Sequence, residues 1–204
     1  MVYHAEFGLV DSPANPDEFE LTSGAGPAIA RLNQLGLPVI VVSNQPGIAK
    51  GKFTRSLLEA MELKMTRAIA AAGGRIDRIY NCLHHPDAIV DEFRVRCDCR
   101  KPAAGLLRKG AGEFNIDLAG SYMVGDGVTD IAAARAAGAL TTIFVNARRC
   151  YNCELLTEHG VWPDYVAGDL VEAASVIEHL ERGDEASASI FALNCAAIEA
   201  HSNV

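Results

Sequence analysis

Apolar positions along the chain follow two rhythms, and the rhythm changes at glycine and proline. From Gly24 to Leu35 the apolar residues Ala25, Ile29, Leu32 and Leu35 share one helical face, and Gly36 supplies a C-terminal stop. Pro38 to Ser43, PVIVVS, is a continuous β-branched run, the pattern of a strand buried on both faces of a parallel sheet. A turn-rich loop, Asn44 to Gly51, comes next. Thr54 is placed to cap a second helix, with Phe53 stapled onto Leu58 and with Leu58, Met61, Met65 and Ile69 on its inner face. Gly73-Gly74 ends that helix, and Ile76 to Cys82 reads as a strand. Pro102 is expected at the first position of a third helix carrying Leu106, Leu107 and Phe114, which Gly105, Gly110 and Gly112 weaken. Ser121 to Gly125 is a strand ending at Asp126. An alanine-rich helix then closes at Gly138. Leu140 to Val145 and Tyr165 to Ala167 are strands, and Leu170 to Leu180 is a last helix. Val2 to Leu21, broken by Asp11, Pro13, Asn15, Pro16 and Asp17, is expected to be a loop.

Strand–helix alternation of this kind predicts an α/β protein, a three-layer Rossmann-like parallel sheet with helices on both faces. Residues 1–181 are expected to form one domain, and 182–204 an acidic, Ala/Ser-rich tail. The chain has 204 residues, enough for one sizeable core, and a net charge of −8. That balance disfavours non-specific nucleic-acid binding and offers no basic patch to acidic membranes. No apolar run approaches the roughly 18–20 residues that span a bilayer. Met1 to Gly24 is mixed and polar, without a secretory pattern. A monomeric cytoplasmic protein is expected, its cysteines reduced and available as ligands. Any anionic substrate must then be met by local cations.

Candidate chemistry concentrates in Asn81 to Pro102, NCLHHPDAIVDEFRVRCDCRKP. This window holds three of the six cysteines and two of the six histidines. Cys82 and His84 form a C-x-H pair, and Cys97 and Cys99 a C-x-C pair. Paired soft ligands in a polar loop suit one tetrahedral Zn²⁺, with His85 an alternative to His84. Cys150 and Cys153 form a C-x-x-C that could compete for the metal, and Cys195 reads as a bystander. Arg100 and Lys101 directly follow the second pair, as cations that could face a phosphate. Two further polar groups sit at strand ends, where open parallel sheets bind ligands. Ser43-Asn44 can hold phosphate oxygens, and Asp126 with Asp130 suits Mg²⁺ and its waters. One phosphate-binding cavity would explain all three.

Here the chain resembles a family. VVSNQPGIAKG, CDCRKP and YMVGDGVTD are similar to motifs two, three and four of the haloacid-dehalogenase-type phosphatases. The C-x-H…C-x-C loop narrows the resemblance to the D-glycero-D-manno-heptose 1,7-bisphosphate phosphatase group and the related histidinol-phosphatases, over about Asp17 to Leu180. The resemblance implies that Ser43 holds the transferring phosphoryl group and that Asn44 contacts the phosphate or the sugar. It implies that Lys101 neutralises phosphoryl charge and that Arg100 grips the substrate's other phosphate. Asp126 would bind Mg²⁺, Asp130 would support that loop, and Cys82, His84, Cys97 and Cys99 would hold structural Zn²⁺. The chain departs from the group at Gly127, where its members often carry Lys.

The family's first motif is a strand ending in Asp-x-Asp-Gly, whose first Asp attacks phosphorus and whose second is the general acid and base. No Asp-x-Asp occurs in this sequence. Asp11 is rejected as the nucleophile because no apolar strand is expected before it. Val2 to Glu20 resembles the segment that normally comes just after that motif, so Met1 is expected to be an internal methionine of a longer protein. The missing strand would be central, between those of Ser43 and Asp126. The 204 residues alone are therefore expected to be poorly stable, with phosphatase activity reduced by on the order of 10⁴–10⁶-fold. The alternatives are an inactive phosphosugar-binding or regulatory module, a histidinol-phosphate phosphatase and a zinc-stabilised interaction domain.

Overall fold

The β-branched run after Pro38 does form a strand, and it pairs in parallel with the next strand of its unit. The computed structural model describes residues 2–4, 9–11, 13, 15–138, 141–145 and 160–184. They fall into two compact units, Met1–Ile116 and Asp117–Val204.

In the first unit, β1 (Val2–His4) and β2 (Leu9–Asp11) pair antiparallel, with Val2 opposite Asp11. This corrects the expected loop over Val2 to Leu21, and it places Asp11 at the end of a short apolar strand. Three residues per strand are too few for alternation to register in a sequence. Helix α1 (Ala25–Gln34) comes next, buried through Ala25, Ala28, Ile29 and Leu32. Strand β3 (Ile40–Asn44) crosses through α2 (Arg55–Ala71) to β4 (Arg78–Cys82). The Thr54 hydroxyl caps α2 by accepting from the Leu57 N–H at 3.3 Å. Phe53, Leu58 and Met61 pack with Ile48 in one cluster, which Phe93 of the loop beyond β4 also joins. The β3–β4 register runs from Ile40 opposite Arg78 to Asn44 opposite Cys82. Full burial of β3 is not reached. All its residues are half-buried, because among the described residues only β4 pairs with it.

Helix α3 (Gly105–Phe114) starts three residues later than expected, and Pro102 lies in the preceding turn. The glycines explain the shift. The Gly105 N–H donates to the Asp98 carbonyl at 2.9 Å, and a Cβ on Gly105 would overlap that oxygen. Gly110 is buried against the Tyr80 ring and Ile40. Both allow α3 to press onto the strand pair, burying Leu106 with Tyr80 and Cys82, while Phe114 is left exposed.

The second unit is a parallel three-stranded sheet, in the order β5 (Tyr122–Gly125), β6 (Thr141–Val145), β7 (Tyr165–Ala167). Helices α4 (Val128–Ala137) and α5 (Leu170–Glu181) accompany it. Ile131, Ile143, Phe144 and Val176 are fully buried. Asp164 stitches the start of β6, accepting from the Thr142 N–H and hydroxyl, each at 2.7 Å, and from Arg135 at 2.8 Å. Among the described residues no helix is long and apolar enough to cross a membrane. Cys150, Cys153, Cys195 and the tail from residue 185 lie outside the described residues.

Candidate metal and phosphate site

The C-terminal ends of β3 and β4 lie side by side, so the loops leaving them share a space. The Gln45 N–H extends the ladder to the Cys82 carbonyl at 2.8 Å. Cys82 is the last residue of β4 and has no exposed surface. From there the chain runs out through His84 and returns with Cys97 and Cys99. The outgoing arm is pinned by backbone: both Ile89 and Val90 donate to the Ala49 carbonyl, at 2.9 and 3.2 Å, and His85 donates to the Phe93 carbonyl at 3.0 Å.

The four ligand atoms of Cys82, His84, Cys97 and Cys99 all lie within 4.8 Å of one another. Sulfur–sulfur distances are 3.7 Å for Cys82–Cys97, 3.1 Å for Cys82–Cys99 and 3.2 Å for Cys97–Cys99. His84 Nδ1 is 3.3 Å from the Cys99 sulfur and 3.9 Å from that of Cys82. Tetrahedral Zn²⁺, with bonds of about 2.3 Å to sulfur and 2.0–2.1 Å to nitrogen, needs ligand edges of about 3.5–3.8 Å. The tetrad fits a small shared cation with little adjustment. The imidazole in the cluster is that of His84, while His85 Nδ1 accepts from the Asp87 N–H at 3.0 Å. Burial pushes the Cys97 thiol up, but hydrogen bonds from the Cys99 thiol and the Arg100 N–H outweigh it and bring the thiol down to about 7. Burial raises Cys82.

Lys101 is tied to the end of β3. Its N–H donates to Asn44 Oδ1 and its carbonyl accepts from Asn44 Nδ2, both at 3.0 Å. Its ammonium donates to the Val42 carbonyl at 2.8 Å. Residues 42 and 44 flank Ser43, whose hydroxyl accepts from Gln45 Nε2 at 3.1 Å. Ser43, Asn44 and Lys101 are therefore brought together, and Cys99 joins their segment to the metal tetrad. Arg100 donates to the His84 carbonyl at 3.2 Å. Burial, then the charges of Arg100 and Lys50, lower the His85 pKa, and the Asp87 carboxylate opposes them. Lys50 was not singled out in the sequence; its signal was a lone cation in a glycine-bounded turn.

Asp126 and Asp130 belong to the second unit. Asp126 comes directly after β5 and is half-buried. Asp130 is buried, and its Oδ2 accepts from the Gly127 N–H at 3.0 Å while its own N–H donates to the Gly127 carbonyl at 2.9 Å. That reciprocal pair closes the turn carrying Asp126 at the N-terminus of α4.

A family model described as HAD-hydrolase-like matches residues 98–173. The D-glycero-beta-D-manno-heptose-1,7-bisphosphate 7-phosphatase of Salmonella typhi is 37% identical over 166 residues, covering 81% of this chain and 86% of the relative. The protein of the same name from Escherichia coli K12 is 43% identical over 129 residues, 63% of this chain and 68% of the relative. Among solved structures, a D,D-heptose 1,7-bisphosphate phosphatase from B. bronchiseptica, in complex with magnesium and phosphate, superposes with a TM-score of 0.71. It is 35% identical and covers 83% of this chain and 92% of that one. The corresponding enzyme from Burkholderia thailandensis gives a TM-score of 0.56 at 33% identity, over 78% and 87% of the two chains.

Proposed function

The chain belongs to the haloacid-dehalogenase-like phosphatases, and from that membership we propose that it hydrolyses a phosphomonoester of a sugar bisphosphate of the D-glycero-D-manno-heptose 1,7-bisphosphate type. The observation that carries the reading is the seating of Lys101 across Ser43, beside the metal tetrad. In this reading the Ser43 hydroxyl and the Lys101 ammonium hold the transferring phosphoryl group and spread its charge. Arg100 grips the phosphate that does not react. Asp126 would hold Mg²⁺, which the magnesium complex of the relative supports, and the ion would supply charge neutralisation for an anionic substrate. Asp130 holds the Asp126 turn in place. Cys82, His84, Cys97 and Cys99 hold structural Zn²⁺, which the donor set and its edge lengths favour.

The reaction needs a carboxylate to attack phosphorus and a second to protonate the leaving sugar oxygen; water then hydrolyses the aspartyl-phosphate. The 204 residues hold no Asp-x-Asp pair for these tasks. In this reading these residues supply the phosphate-holding groups of the site, and we assign residues 1–181 to the phosphatase domain and 182–204 to a tail. The enzyme would act as a monomer in the cytoplasm on a small sugar phosphate.

The test compares this chain with one extended at its N-terminus by an apolar strand ending in Asp-x-Asp-Gly, assayed with Mg²⁺ on a panel of sugar bisphosphates. Turnover of a heptose bisphosphate by the extended chain, at least about 10⁴-fold above the shorter one, is expected. Tight binding of the bisphosphate by both chains, without turnover by either, would make this an inactive phosphosugar-binding module instead.

A further inference from the structure

We propose that Asn44 is a positioning residue for Lys101 rather than a ligand of the substrate. The inference rests on the phosphate site proposed above and assigns a different task to one of its members. A carboxamide carries an acceptor oxygen and a donor NH2 group side by side, at the spacing of a peptide edge. In Asn44 both are turned on the same residue, accepting from the Lys101 N–H and donating to the Lys101 carbonyl at 3.0 Å each. Asn44 is the last residue of β3, so its side chain does what a neighbouring strand's backbone would do. It docks residue 101 as a one-residue extension of the sheet.

The consequence falls on the ammonium. A lysine stem has four carbons and about 2 kcal/mol of rotamer entropy. Its head is useful at one spot only when its root is fixed. With the root clamped at residue 44, the ammonium reaches the Val42 carbonyl at 2.8 Å, so both ends of Lys101 are held across Ser43. On the other side, Cys99 lies two residues before Lys101 and belongs to the metal tetrad. The Arg100–Lys101 segment is thus held from both directions, by Cys99 within the cysteine–histidine cluster and by one amide. Asp lacks the donor, Gln is a methylene too long, and Ala or Leu offers neither group.

The test is a double-mutant cycle on inorganic phosphate binding, read by calorimetry on the full 204-residue chain loaded with Zn²⁺ and supplied with Mg²⁺. Asn44→Ala is expected to weaken phosphate about tenfold, the scale of two lost hydrogen bonds. On a Lys101→Met background the same change is expected to alter affinity less than about twofold, because nothing remains to be positioned. Factors that multiply would mean that Asn44 touches the phosphate itself, and would overturn the proposal; so would an Asn44→Ala protein that binds like the parent. Zinc content of one equivalent in every variant separates a local effect from misfolding. Should the parent bind no phosphate, the phosphate-site reading falls, and hydrogen exchange at the Lys101 amide then decides the clamp. Asn44→Ala must speed that exchange at least about tenfold while the Gln45 amide, bonded to the Cys82 carbonyl, stays protected; an unchanged Lys101 rate overturns it.

Discussion

The Asp130 side chain occupies the space in which Gly125 would carry a side chain: a Cβ on Gly125 would overlap the Cβ and the carboxylate of Asp130. Gly125 ends β5, and Asp130 is the residue whose carboxylate closes the turn of Asp126. The glycine is thus a requirement of the capping carboxylate. Gly125→Ala should cost about 1–3 kcal/mol in denaturant unfolding, the range of overpacked cores. Unchanged stability would show that the turn can relax away from the added methyl.

The metal tetrad makes a compositional prediction. Cys99 Sγ lies within 3.3 Å of three other ligand atoms, those of Cys82, His84 and Cys97, so Cys99→Ser should abolish zinc binding. Cys150→Ser should retain one equivalent by elemental analysis. Zinc lost from the second variant alone would refute the ligand set. Removing the metal with a chelator should expose the loop from Leu83 to Arg96 to proteolysis, because binding energy of about 10–16 kcal/mol in structural zinc sites is folding energy.

Asp164 makes a prediction about pH. Burial pushes its carboxyl up, but the Arg135 guanidinium and the Thr142 N–H and hydroxyl outweigh this and hold it below the ordinary carboxylate value. A depressed folded pKa adds stability that is complete above the unfolded value of about 3.9 and is lost as pH falls through the folded one. Asp164→Asn should therefore destabilise the protein by about 1 kcal/mol at pH 7, below the usual range for hydrogen bonds to charged groups because the side chain is 37% exposed and solvent screens it. The difference should shrink steadily below about pH 4. A pH-independent difference would assign the effect to packing.

Arg100 should decide between one phosphate and two. It sits directly before Lys101, with one of its donors on the His84 carbonyl. Arg100→Met should lower the affinity ratio of a sugar bisphosphate over the matching monophosphate by about 10–100-fold, the range of a charge-assisted pair. Equal weakening of both ligands would move Arg100 from the second phosphate to the reacting one.

Much of the fold was legible because its signals are local. The β-branched run before Ser43, the Thr54 cap, the Leu58–Met61–Ile69 stripe and Gly138 after the alanine-rich helix each report a neighbourhood of a few residues. What they could not report is a partner. Periodicity put Pro102 at a helix start, yet Gly105 starts α3 because the Asp98 carbonyl, seven residues back, needs its missing Cβ. The hairpin of β1 and β2 escaped notice for the same reason: three residues carry no period, and only the pairing of Val2 with Asp11 defines the strands.

The candidate site divides along the same line. By itself the sequence determined the ligand types, their pairing as C-x-H and C-x-C, and the cations directly after them, because sulfur, imidazole and charge are properties of residues. Only the tertiary structure decided that the imidazole of His84, rather than that of His85, stands among the three sulfurs, and that the Asn44 amide is turned on Lys101. Residues 44 and 101 are 57 positions apart. No local pattern reaches that far; strand register does, by carrying Asn44 to the strand end beside Cys82, where the metal loop brings Lys101 back to it.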